Sequence, residues 1–271
     1  MAERSRRGRP GKMQCAEIRG GTGPADSWFS VPGLDVDILS QPYAGQSAGG
    51  DIHLLSLCNA GRLSRFVIAD AAGHGADARG LAERLRELMA QHANEADQTR
   101  FIQRLNRDLA GIGKTGQFAT ALAVSYLYAQ HHLLLCNAGH PRPLRYHAAE
   151  GHWELLHHEL PDAVEAEGIN LPLGIIAQTD YYQFAVELTE GDIVLLYTDS
   201  LTDVRTDGRS LGERGLLEVV RQLDPARPAD LPGELLSALR QRGASPVDQD
   251  DVTLVTLYHH GRGPDVSMQP R

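Results

Sequence analysis

Short apolar runs and alternating apolar–polar stretches, bounded by Gly, Asn, Asp and Pro, predict ten strands. They cover residues 36–40, 51–57, 65–70, 118–128, 133–137, 144–147, 153–156, 181–187, 192–198 and 252–258. Asn59-Ala60-Gly61, Ala129-Gln130-His131 and Thr189-Glu190-Gly191 join some of these runs by turns too short for a parallel crossover, so antiparallel pairing is expected across each. Four stretches repeat at three and four instead. Ala78, Leu81, Leu85, Leu88 and His92 form one stripe, with Arg79 and Glu83 paired on the opposite face. Phe101, Leu105 and Leu109 form a second, residues 213–223 a third, and Leu231, Leu235 and Leu239 behind an N-cap at Asp230 a fourth.

The order is three strands, two helices, a long series of strands, two helices and a last strand. Ten strands exceed what one twisted sheet carries comfortably, and every helix has one apolar stripe to cover. Two stacked, mainly antiparallel sheets with a helix pair on each outer face satisfy both demands, an α+β architecture in four α-β-β-α layers. Residues 1–30 are rich in Arg, Gly and Pro without periodicity and read as a flexible basic tail. The folded domain is then expected over 31–260, with a second tail over 261–271.

Composition narrows the function. The 271 residues carry 26 Lys and Arg against 35 Asp and Glu, a net charge of −9, which argues against nucleic-acid binding. No run approaches the roughly 18 apolar residues of a membrane helix, and no apolar segment follows the basic start as in a secretory signal. Cys15, Cys58 and Cys136 are scattered and have no C-x-x-C spacing, which predicts a reducing, cytoplasmic setting.

Aspartates stand where strands stop. Asp51 follows Gly49-Gly50, Asp70 precedes Ala71-Ala72-Gly73-His74-Gly75, Asp199 follows Tyr197-Thr198, and Asp250-Asp251 opens the last strand. One such residue is ordinarily a turn or cap, but four at strand ends can meet at one rim. Two carboxylates about 4 Å apart at an effective dielectric of about 20 repel by roughly 4 kcal/mol. A converging set therefore requires cations, and oxygen-only ligands select Mg²⁺ or Mn²⁺. Two such ions activate water for phosphoryl transfer without a side-chain nucleophile. Gly73-His74-Gly75-Ala76-Asp77-Ala78 matches a dinucleotide-binding fingerprint, but a second helix follows it where that fold needs a strand.

Six segments in order resemble the SpoIIE/RsbU-like bacterial branch of the PPM (type 2C) metal-dependent serine/threonine protein phosphatases. They are Ala48-Gly49-Gly50-Asp51; Ile68-Ala69-Asp70-Ala71-Ala72-Gly73-His74-Gly75; Asn106 with Phe118-Ala119-Thr120-Ala121 and Asn137-Ala138-Gly139-His140-Pro141; Leu171-Pro172-Leu173-Gly174; Tyr197-Thr198-Asp199 with Asp203; and Asp250-Asp251-Val252-Thr253. The resemblance implies the same four-layer sandwich and two Mn²⁺ or Mg²⁺ ions. Their ligands would be Asp51, Asp70, Asp199 and Asp250 with the Ala71 carbonyl, Asp70 bridging and Asp250 preferred to Asp251. It implies attack by a metal-held hydroxide on phosphoserine or phosphothreonine of a regulatory protein, a STAS-type anti-sigma-factor antagonist in partner switching. Leu54, where the family often has an acid, and Ser200, where it has Gly, are departures. They keep open an inactive module that binds a phosphoprotein; a small-molecule phosphatase is a further alternative. Arg142 is a candidate for the substrate phosphate against a plain surface role. His74 and His140 read as turn residues, and His152, His157 and His158 as a solvated loop.

Overall fold

The computed structural model describes residues 11–12, 17–58, 62–73, 75–112, 116–157, 168–206, 208–242 and 250–262. One sheet has the order β1 (Gly11–Lys12), β3 (Ala25–Val31), β4 (Leu34–Gln41), β15 (Val252–His259), β12 (Ile193–Tyr197), β9 (Leu144–His147), β10 (His152–Leu155). The other runs β11 (Gln183–Glu187), β8 (His132–Ala138), β7 (Ala119–Leu127), β6 (Leu63–Ala71), β5 (Asp51–Cys58), β2 (Ile18–Gly21). β13 (Arg205–Thr206) and β14 (Arg209–Ser210) form a separate small ribbon. Pairing within the two large sheets is antiparallel except between β1 and β3.

Side-chain alternation divides the apolar residues into three layers. Between the sheets lie Val36 and Ile38 of β4, Leu55 and Leu57 of β5, Phe66 and Ile68 of β6, Val194 and Leu196 of β12, and Val255 and Leu257 of β15. The other face of the β5–β8 sheet packs on α1 (Gly75–Gln91) and α2 (Gln98–Ile112) through Leu81, Leu85, Phe101 and Leu105. α3 (Gly212–Val220) and α4 (Leu231–Arg242) cover the first sheet through Leu216, Leu235 and Leu239. The expected helix stripes are thus the buried ones, and the molecule has the α-β-β-α layering. α2 follows α1 and leads to β7, antiparallel to β6, so the glycine pattern after Asp70 belongs to no βαβ unit.

Two expectations are corrected. The segment read as a tail to residue 30 contains β2 and β3, and Phe29 points into the inter-sheet core at 8% exposure. Glycines and polar residues mask an edge: β3 runs along β4 from Ala25↔Ser40 to Val31↔Leu34. Residues 1–10, 13–16 and 263–271, which hold the rest of the two tails, lie outside the described residues, as does the Asn59-Ala60-Gly61 turn. Residues 189–191 do not close a hairpin either. β11 pairs with β8 and β12 with β15 and β9, so the chain crosses from one sheet to the other there. A buried carboxylate stabilises that crossing. Asp192 accepts the Thr189 and Ala148 N–H groups at 3.0 and 2.8 Å and the Arg145 guanidinium at 2.7 Å.

Candidate functional site

The apolar filling between the sheets ends in a polar layer at one end of the sandwich. Asp51 opens β5 and Asp70 stands directly opposite it on β6, both on the inter-sheet side shared by Leu55 and Ile68. Strand geometry places the Cα atoms of such partners about 5 Å apart. The facing sheet contributes hydroxyls. Thr198, after β12, donates to Asp51 Oδ2 at 2.8 Å, and Ser40 and Thr253 share a hydrogen bond of 3.0 Å. The Thr253 N–H donates in turn to Thr198 Oγ1 at 3.0 Å, which ties the ends of β12 and β15 together.

The electrostatics mark one cluster. Burial, then the charge of Asp70, pushes the Asp51 carboxyl well above the usual carboxylate range, against the hydroxyls of Thr253 and Thr198. Burial and the charges of Asp199, Asp250 and Asp251 push Asp70 up to about 7. Asp199 is raised to about 6 by burial, Asp203 and Asp250. The four sequence-predicted aspartates are therefore linked through Asp70, which feels Asp199 and Asp250 and in turn raises Asp51. Among the described residues, however, no three His, Cys, Asp or Glu side chains form a ready cage for one ion.

The donor set fits a hard divalent cation. It is all oxygen, strongly negative and partly buried, and the backbone leaves room beside it. A Cβ on Gly50 would stand 3.3 Å from the Ala71 carbonyl oxygen and 3.6 Å from Asp70 Oδ1. That carbonyl belongs to the residue whose N–H is bonded to the Gly50 carbonyl at 3.2 Å.

Asp251 has a part that the sequence did not reveal. Its Oδ1 accepts the Tyr43 N–H at 2.7 Å and its Oδ2 the Gly50 N–H at 2.5 Å, so it fastens the loop that delivers Asp51. Asp250 is exposed, and its Oδ1 accepts the Asp251 N–H at 2.8 Å. The adjacent acids were visible as a pair; which oxygens meet which loop depends on packing between the sheets.

The departures take little from the cluster. Leu54 lies on the opposite face of β5 from Asp51, packed in the α1–α2 layer, so an acid in this place would point away. Ser200 is buried in a short 3₁₀ turn, and it is not among the positive-φ residues, so no glycine is required there. Arg142 is engaged: its N–H and Nε each donate to Glu213 at 2.7 Å, tying the 140–143 loop to α3. His140 is buried, with Nδ1 2.8 Å from the Thr120 hydroxyl and a pKa pushed down to about 3 by burial. His152 and His157 are exposed, and His74 and His158 lie outside the described residues.

Comparison with known proteins bears on the family and the fold. The family model of Stage II sporulation protein E (SpoIIE) matches residues 60–260. Phosphoserine phosphatase RsbU of Bacillus subtilis (strain 168) is 25% identical over 190 residues, 70% of this chain and 52% of that protein. The solved RsbU and RsbW domains of Rv1364c from Mycobacterium tuberculosis superpose with a TM-score of 0.68 at 24% identity, covering 86% of this chain and 62% of theirs. The catalytic domain of the serine/threonine protein phosphatase PstP, solved with two manganese ions, superposes with a TM-score of 0.55 at 18% identity, covering 83% of this chain and 97% of that one. The chain thus spans only about half of the B. subtilis relative, while the family match takes in β6 to β15 and with them Asp70, Asp199 and Asp250. On that match and the shared fold, the chain belongs to the SpoIIE family.

Proposed function

We propose that this chain is a metal-dependent phosphatase that hydrolyses phosphoserine or phosphothreonine on a regulatory protein. What supports the reading is the cross-strand pair Asp51 and Asp70 at one end of the inter-sheet layer, with Asp199 and Asp250 near enough to push the Asp70 carboxyl up further. Those four side chains and the Ala71 carbonyl would hold two Mn²⁺ or Mg²⁺ ions. When bound, the ions supply positive charge for the phosphoryl oxygens and make a water nucleophilic near neutral pH.

The chain's own residues orient that chemistry. Asp51 is aimed by the Thr198 hydroxyl, and Asp70 is fixed beside it by the β5–β6 register. Asp251 holds Gly50 so that the backbone stays close to Ala71. The likeness to RsbU supports a phosphoserine substrate. The finer identity, a STAS-type anti-sigma-factor antagonist, follows from the motif resemblance.

The test is phosphate release by the EDTA-stripped chain from p-nitrophenyl phosphate and from a phosphoserine-bearing STAS-domain protein. Release from both, restored by Mn²⁺ or Mg²⁺, is expected. No release at any metal concentration contradicts the reading. Preference for phosphorylated metabolites over the phosphoprotein would move the substrate to small molecules.

A further inference from the structure

A cavity of about 110 Å³ lies on the first sheet, beside the connection between α3 and α4. Its walls are Trp28 of β3, Asp35 and Asp37 of β4, and Thr256 and Tyr258 of β15, with Pro228 and Ala229 of the connection at the rim. Val36, Ile38, Val255 and Leu257 point into the inter-sheet core, so strand alternation turns these wall residues to the α3–α4 side. The cavity and the aspartate cluster therefore use opposite faces of β4 and β15. Strand register builds the floor. Trp28 stands opposite Asp37 and Asp37 opposite Thr256, one row of ring, carboxylate and hydroxyl; Asp35 opposite Tyr258 forms the next row. The two carboxylates are two residues apart on one strand face, about 7 Å.

The lining asks for a cation that can also donate hydrogen bonds. Asp37 is buried at 4% exposure, and Asp35 is half-buried. Thr256 is 2% exposed, and its Oγ1 has no hydrogen-bond partner among the described residues. A buried hydroxyl is ordinarily paired, so one left open on a cavity wall marks where a ligand's donor belongs. The cationic side chains close by are engaged. Arg227, before Pro228, is held by Asp224, Asp230 and Glu234, and His260 Nε2 lies 3.6 Å from Asp35 Oδ1. The rings of Trp28 and Tyr258 favour an organic cation over a hydrated metal ion, because their faces attract positive charge and their bodies repel a water shell. At about 10–15 Å³ for each water-sized group, the cavity admits a small head group.

We infer that this cavity is a binding site for a guanidinium group, separate from the aspartate cluster. A guanidinium is flat, stacks on aromatic faces and carries five N–H donors, enough to reach the Asp37 and Asp35 carboxylates and the Thr256 hydroxyl from one plane. An ammonium is a compact point charge and reaches fewer of them. Two sources supply this chemistry. One is a free guanidinium compound. The other is the chain itself: Arg4, Arg6, Arg7 and Arg9 precede β1, which pairs with β3 so that Gly11 stands opposite Phe29, the neighbour of Trp28.

The experiment is calorimetric titration of the full chain with ethylguanidinium chloride and with ethylurea, its neutral counterpart, at constant ionic strength. Wild type is compared with a full-length variant carrying Arg4→Ser, Arg6→Ser, Arg7→Ser and Arg9→Ser. Ethylguanidinium should bind at one site, with ethylurea at least tenfold weaker. Tighter binding by the arginine-free variant would name the chain's own arginines as the occupant; equal binding would name a free guanidinium compound. Asp37→Asn and Thr256→Val are then added to whichever background binds more tightly. Asp37→Asn should weaken binding at least tenfold and Thr256→Val at least threefold. Without ligand, Thr256→Val should melt no lower than its parent, since it removes an unpaired buried hydroxyl; a merely structural threonine would lose stability instead. No saturable binding in either background would overturn the inference, as would equal affinity for ethylurea, or parental affinity in both Asp37→Asn and Thr256→Val. None of these results bears on the phosphatase reading, which rests on other side chains.

Discussion

Asp70 binds its proton up to about pH 7 because burial and the charges of Asp199, Asp250 and Asp251 oppose ionisation. A carboxyl raised above its unfolded value of about 3.9 costs stability as pH climbs through that window, since the folded state then holds more protons than the unfolded one. In EDTA, Asp70→Asn should therefore raise the melting temperature most at pH 8, with the gain shrinking towards pH 4. The comparison with wild type is needed because His53 and His140, held near about 4 and about 3 by burial, work in the opposite direction below pH 6.5 in both proteins. A gain independent of pH would contradict the origin assigned to the Asp70 shift. Gly49→Ala tests the loop. Its Cβ would overlap the Asp251 carboxylate, so metal-dependent turnover and metal affinity should fall sharply while circular dichroism stays that of wild type. Wild-type affinity would show that the loop yields without cost. The four aspartates were legible because each stands at the end of an apolar run. The hydroxyls of Thr198 and Thr253 and the clamp at Asp251 were not, because they depend on how two sheets face each other.

The strands and helices in the interior announced themselves through periodicity, and the edges did not. β3 reads Ala-Asp-Ser-Trp-Phe-Ser-Val, with Phe29 and Val31 its fully buried positions, so alternation is faint in the sequence and decisive in the sheet. Phe29→Ala should cost about 3 kcal/mol in urea unfolding, the usual range for emptying a buried aromatic site. Deleting the chain through Val31 should weaken or abolish cooperative unfolding, because β4 would keep β15 but lose β3 over residues 34–40, and the inter-sheet core would lose Phe29 and Val31. A near-neutral Phe29→Ala would mean that β3 contributes little. The crossing at 189–191 was misread for a related reason. Turn length limits the choice to a hairpin or a change of sheet, and Asp192 selects the second. Although burial pushes its carboxyl up, the N–H groups of Ala148 and Thr189 and the Arg145 guanidinium together hold it below the usual range. Arg145→Met should cost roughly 3–5 kcal/mol by leaving that buried charge without its partner. A loss below 1 kcal/mol would show that backbone donors alone suffice.

At the scale of the molecule, the sandwich is apolar along its length and polar where the strand ends of both sheets meet. The layer count followed from the number of strands and the one-sided helices. The position of the candidate site followed from the aspartates, whereas the anchoring of the 174–177 loop on Asn106 needed the fold in three dimensions. The proposed function puts metal-dependent phosphate release at the acidic end, centred on Asp70. The most direct measurement is phosphate release from a phosphoserine STAS-domain protein at saturating Mn²⁺ by wild type and Asp70→Asn, each first shown to be folded by circular dichroism. That function predicts rapid release by wild type and a fall to the metal-free background in the variant. Near-wild-type release by Asp70→Asn at saturating Mn²⁺ would contradict it.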